Sequence, residues 1–371
     1  MSDRTVPGIG WPHRPHDEVA GSHLGWVSTE TPGSDVSRET ERPPARPDRI
    51  EPSSFGPTPG PGSPTVHRAG DVVALGQLED GSTPLAAAVA EEVSRLTLDD
   101  RPFDRPAETR VFVVANQKGG VGKTTSTVNI AAAMAQHGQR VLVVDLDPQG
   151  NASTALQIEH TQGTPGVYEA IVEGQPLQRV IQACPEIPDL DVVPASIDLA
   201  GAEIELVSLV ARESRLKSSL DAYLKERAEA GRPIDYVFID CPPSLGLLTV
   251  NALVAGREML IPIQCEYYAL EGLSQLMRNV ELIKSHLNPN LDVSTILLTM
   301  HDARTRLSAG VADEVRQYFG ELVLRTAIPR SVRISEAPSY QQSVMTYDPT
   351  SPGAMSYLEA SREITQSKRS K

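Results

Sequence analysis

Short apolar runs recur along the second part of the chain: Val111–Ala115, Val141–Asp145, Leu190–Pro194, Tyr236–Asp240, Met259–Ile263, Ser294–Thr299 and Leu322–Leu324. They are continuous rather than alternating, which predicts strands buried on both faces. Between them lie stretches with apolar positions at helical spacing, including Ser126–Gln136, Leu270–His286 and Val311–Phe319. Strand and helix in alternation predict the α/β class, with a mostly parallel sheet covered by helices on both faces. Ligands of such sheets bind at the carboxyl ends of the strands. No internal repeat is evident.

Residues 1–106 lack this pattern. They are rich in Pro, Gly, Ser, Thr and charged residues, as in Glu41–Pro47 and Pro57–Pro64. Such sequence buries too little apolar surface to offset chain entropy, so an extended, disordered segment is expected. One exception is a helix over 83–98, with Thr83 as cap, Pro84 at its first position and Leu85, Val89, Val93 and Leu96 on one face. The folded domain is expected over 107–371, long enough for one large core.

The formal net charge is −14 and the isoelectric point about 5.1. Any contact with nucleic acid must therefore come from a local basic patch and be sensitive to salt. The three cysteines, Cys184, Cys241 and Cys265, form no CxxC pair and read as reduced thiols of a cytoplasmic protein. The first residues have no signal-peptide core, and no apolar run reaches the length of a membrane span.

The chemistry starts at Lys118-Gly119-Gly120-Val121-Gly122-Lys123-Thr124-Thr125, between the first strand and the first helix. Glycines let backbone amides converge on phosphate oxygens, and the helix N-terminus adds its positive end. Lys123 can reach the β- and γ-phosphates, and the Thr124 hydroxyl can ligate Mg²⁺. The usual phosphate loop has glycine six residues before its lysine; here that position is Gln117, and an additional lysine, Lys118, precedes the glycines. Two acidic segments close later strands: Asp145-Leu146-Asp147-Pro148-Gln149-Gly150-Asn151 and Asp240-Cys241-Pro242-Pro243-Ser244. Asp240 is expected to hold a Mg²⁺-bound water, Asp145 to support the same shell, and Asp147 to orient the attacking water.

With these segments, Gln264–Leu273 and Ile328–Ser339, the chain from about Arg110 to about Ile364 resembles the Soj-like ParA chromosome-partitioning ATPases, which carry a deviant Walker A motif and belong to the ParA/MinD group. The resemblance implies ATP and Mg²⁺ as cofactors. It implies a homodimer in the ATP state, in which each Lys118 reaches the other subunit's phosphates and the backbones approach closely at Gly119. Pro329 and Arg330 would lie beside the adenine base. The dimer would bind DNA without sequence preference through Arg304 and Arg333, in an arginine-rich region with Arg306, Arg325 and Arg330. A ParB-like centromere-binding protein would stimulate hydrolysis and release the dimer from the nucleoid.

Two alternatives are weaker. A MinD-like membrane ATPase needs a terminal amphipathic helix, but Ser361–Lys371 offers only Ile364 as a large apolar residue. A nucleotide-gated DNA-binding scaffold would be favoured by loss of Asp147, which is present. The resemblance also gives a reading of Val36-Ser37-Arg38-Glu39-Thr40. The family's centromere palindrome, GTTTCACGTGAAAC, encodes this pentapeptide in one frame. The gene is therefore expected to carry a ParB-binding site within its coding sequence. Codons other than TCA for Ser37 or CGT for Arg38 contradict this.

Overall fold

A computed structural model describes residues 101–266 and 269–367. The helix expected over 83–98, the disorder expected of the extension, the Val36–Thr40 segment and the basic terminus at 368–371 lie outside the described residues.

Seven strands form one sheet in the order β3-β4-β2-β5-β1-β6-β7. They are β1 (Arg110–Val114), β2 (Val141–Asp145), β3 (Gln182–Ala183), β4 (Leu190–Val193), β5 (Tyr236–Asp240), β6 (Glu258–Gln264) and β7 (Asp292–Thr299). All neighbours run parallel except the short edge pair β3–β4. Each central strand sends alternate side chains to two apolar layers. Val111, Val113, Leu142, Val144, Val237 and Ile239 face one; Phe112, Val114, Val141, Val143, Tyr236 and Phe238 face the other. That is why the strands read as continuous apolar runs.

Helices α1 (Lys123–Gln136) and α10 (Pro352–Gln366) cover the second layer. The first is covered by α3 (Leu199–Leu206), α4 (Arg215–Glu229), α5 (Leu247–Ala255), α6 (Ala269–His286) and α7 (Arg306–Phe319). Short helices α2 (Asn151–Ala155), α8 (Val332–Glu336) and α9 (Val344–Tyr347) complete the set that frames the site. Local chemistry sets the ends. Thr305 caps α7 by accepting from the Ser308 amide, and Ser351 caps α10 ahead of Pro352.

Two expectations need correction. Leu322–Leu324 is not a strand: a 3₁₀ turn covers Gly320–Leu322, and Val323 makes only a single parallel bridge to Ile296. The run is too short to build a ladder, although Ile328 continues alongside β7 through its amide to the Leu298 carbonyl (2.8 Å). Residues 101–106, placed with the extension, include a docked anchor. Phe103 is buried, stacks on His137 at 4.8 Å, and has its backbone held by His137 and the Gln139 side chain. One aromatic surrounded by Arg and Pro carries no periodic signal, so its burial was not legible. The two-residue strand β3 was missed for the same reason.

Arg110, at the start of β1, forms a two-pronged pair with Glu258 of β6 (2.7 and 2.8 Å). It also donates to the Ile364 carbonyl (2.7 Å), fixing the end of α10 to the sheet. Ile364 is itself fully buried, so the one large apolar residue of the terminal segment belongs to the core and not to a membrane-facing surface. No helix among the described residues is long and apolar enough to cross a membrane.

Candidate nucleotide site

The phosphate loop leaves β1 and enters α1 at the carboxyl edge of the sheet, as the strand–turn–helix pattern requires. Gly120 and Gly122 take positive φ values of 72° and 86°, and Gly122 is the N-cap of α1. Among the described residues no side chain caps this helix, which leaves its first amides available to an anion. The loop is held from both sides. The Asn116 amide donates to the Pro262 carbonyl (2.8 Å) and its Oδ1 accepts from the Lys118 amide (3.1 Å). On the other flank, Thr299 at the end of β7 donates to the Val121 carbonyl (2.9 Å).

Lys123 is buried, and burial lowers its pKa against the opposing pull of Asp240, Cys241 and Asp147. Thr124 and Thr125 are half-buried at the first turn of α1. Gly119 differs from the other loop glycines. It has no left-handed φ; like Gly120 it is exposed, and an added Cβ would meet nothing within 4 Å. Nothing among the described residues accounts for glycine there.

Asp145 and Asp240 end adjacent strands and are fully buried. Both oxygens of Asp145 are partnered: Oδ1 accepts from the Asp147 amide (3.1 Å), and Oδ2 from the Ser153 amide (2.9 Å) and the Ser153 hydroxyl (2.8 Å). Asp240 accepts from Thr127 through its Oδ1 (3.1 Å), yet its Oδ2 has no hydrogen-bond partner among the described residues. Burial first, then the charge of Asp145, pushes the Asp240 carboxyl up to about 8. A buried carboxylate oxygen without a donor, near a threonine hydroxyl, offers the oxygen groups that suit a hydrated divalent cation. The residues fit Mg²⁺ on that ground. Asp147 is half-buried further out on the loop, where its Oδ1 accepts from the Gln149 amide (3.0 Å).

Lys118 is exposed and pairs with Glu266, just beyond β6, at 3.0 Å. Pro329 and Arg330 lie on the same sheet edge, where Pro329 bridges His301 and the Arg330 amide donates to the His301 carbonyl (3.1 Å). Neither lines the cavity of about 400 Å³ beside α1, which is bounded by Thr124, Thr125 and Asn129 on one side and Ile334, Pro338 and Gln342 on the other. The walls of that cleft come from segments some two hundred residues apart, which no local sequence pattern joins. Arg304 and Arg333 are exposed, each beside carboxylates: Arg304 on Asp302 (2.9 Å), Arg333 on Glu336 (3.2 Å) and Asp348 (3.3 Å). The three cysteines are free thiols, all buried.

Loop, aspartates and parallel sheet together define a P-loop nucleotide-binding protein of the ParA/MinD group. The domain family described as "AAA domain" matches residues 109–293. Sporulation initiation inhibitor protein Soj of Bacillus subtilis (strain 168) is 51% identical over 255 residues, covering 69% of this chain and 98% of the relative. Chromosome partitioning protein ParA of Caulobacter vibrioides (strain NA1000 / CB15N) is 47% identical over 262 residues, covering 70% and 95%. Among solved structures, cobyrinic acid a,c-diamide synthase from Mycobacterium smegmatis, with bound ATP analog and magnesium, superposes with a TM-score of 0.58. It is 36% identical, covering 69% of this chain and 94% of that one. The chain belongs to the Soj/ParA family of chromosome-partitioning ATPases.

Proposed function

We propose that this protein hydrolyses ATP with Mg²⁺ to drive chromosome partitioning, as a homodimer that binds DNA in the ATP state. The observation that carries the reading is the unpartnered Oδ2 of Asp240 at the foot of a deviant phosphate loop. Lys123 and the amides of Gly120–Thr125 hold the phosphates. Thr124 would ligate the cation and Asp240 would hold its water shell, with Asp145 supporting the same shell and fixing the loop that carries Asp147. When bound, Mg²⁺ would supply positive charge against the phosphate oxygens. Asp147 orients the attacking water. Pro329 and Arg330 flank the base.

The open space around Gly119 supports the dimer. A glycine that its own chain does not need is explained by a second backbone arriving at that point, with Lys118 of each protomer reaching the other's phosphates. Arg304 and Arg333 then neutralise DNA phosphates without reading bases. A ParB-like protein accelerates hydrolysis and resets the cycle at the nucleoid.

The test is phosphate release from ATP by the full chain, alone, with DNA, with the ParB-like protein, and with both. Slow basal release that rises most with both present is expected. Rates that ignore both additions contradict the proposal.

A further inference from the structure

Lys118 has a partner inside its own subunit that the dimer cycle does not use. Its ammonium lies 3.0 Å from Oε2 of Glu266 and makes no other hydrogen bond among the described residues. Both ends are anchored. The Lys118 amide is held by Asn116, which in turn grips β6 at Pro262. Glu266 leaves the end of the same strand, and the Gln264 side chain donates to its other oxygen. Because β1 and β6 pair directly, the two residues are delivered to one point by neighbouring strand ends.

We propose that Glu266 is a positioning residue that holds Lys118 in its own subunit until a partner's nucleotide displaces it. The proposal rests on the trans-acting role of Lys118 given above. Both side chains are near half exposure, at 41% and 46%. Exposed pairs of this kind are weak, so the contact is releasable rather than locked. It still opposes dimerisation in two ways. The pair must open before Lys118 can cross to the other subunit. The Glu266 carboxylate also places negative charge where the partner's phosphates approach. Glu266 thereby raises the threshold for closing the dimer.

Glu266→Gln separates charge from shape, because the amide carbonyl keeps the contact with Gln264 and the site is at the surface. Dimer formation is measured by sedimentation of the full chain with Mg²⁺ and a non-hydrolysable ATP analogue. The variants are Glu266→Gln, Lys118→Ala and the double mutant. The expected result is a dimer dissociation constant two- to fivefold lower in Glu266→Gln, on the scale of an exposed ion pair. The gain should shrink as salt screens the Glu266 charge, and Lys118→Ala should dimerise poorly with or without Glu266→Gln. Unchanged or weaker dimerisation of Glu266→Gln, with Lys118→Ala defective, overturns the role of Glu266 alone. Normal dimerisation of Lys118→Ala overturns the trans-acting lysine itself.

Discussion

Asp145 and Asp240 are register partners at the carboxyl ends of β2 and β5, both shut off from solvent, and only Asp240 keeps an oxygen without a partner. The two strands thus deliver equivalent residues to different tasks. Three donors tie Asp145 to the turn into α2, whereas Oδ2 of Asp240 accepts from none of the described residues.

This arrangement predicts a pH dependence. Asp240 is raised from 3.8 to about 8 and Asp145 to about 6, each mainly by burial. A raised folded pKa gives stability that is complete below the unfolded value and is lost as pH rises through the folded one. Without nucleotide and Mg²⁺, the melting temperature should fall between about pH 4 and about pH 8. Asp240→Asn should flatten that fall. Identical pH profiles for variant and wild type contradict the assignment.

The two loop lysines should fail differently. Lys123 sits within its own subunit's cradle, so Lys123→Ala should weaken nucleotide binding at least tenfold, about 1.4 kcal/mol or more, given that charge-assisted contacts contribute 1.5–3 kcal/mol. Lys118→Ala and Gly119→Ala should keep that affinity and lose ATP-dependent dimerisation. Calorimetric titration beside sedimentation checks both, and equal affinity losses in the two lysine variants contradict the division of roles.

DNA binding should be electrostatic and non-specific. Arg304 pulls the Asp302 carboxyl down to about 2, and Arg333 lies between two carboxylates, so each must share or exchange its partner to meet a phosphate. Arg304→Ala with Arg333→Ala should abolish most binding and lower the salt slope by about one unit per lost contact. Dimerisation should persist. Full affinity in the double variant moves the patch elsewhere.

A structural prediction lies away from the site. Arg110 and Glu258 are a two-pronged pair with a partly buried arginine and a buried carboxylate, at side-chain exposures of 12% and 3%. Arg110→Ala leaves a buried carboxylate alone and should cost about 3–5 kcal/mol in denaturant unfolding. Pairing it with Glu258→Gln should recover part of the loss. A cost below about 1 kcal/mol, typical of exposed pairs, contradicts the burial argument.

The sheet was legible in the chain because strands buried on both faces print as uninterrupted apolar runs, and the loop because its glycines and lysines are contiguous. Asp145 and Asp240 were found by their places at strand ends. What escaped has no local signature. Phe103 is one aromatic in a polar segment, and β3 is two residues paired across an edge. The Lys118–Glu266 contact joins residues 148 apart that meet only because β1 and β6 are neighbours. Leu322–Leu324 failed in the opposite sense, as an apolar run that packs without building a ladder.

The central claim is that ATP, through this loop, switches the protein onto DNA. The direct measurement is retention on non-specific DNA at low salt by Asp147→Ala, which should bind ATP and close without hydrolysing it. Stable retention with ATP, none with ADP or without nucleotide, and release of the wild type as ATP is consumed are predicted. Equal retention in all three nucleotide conditions would contradict the account.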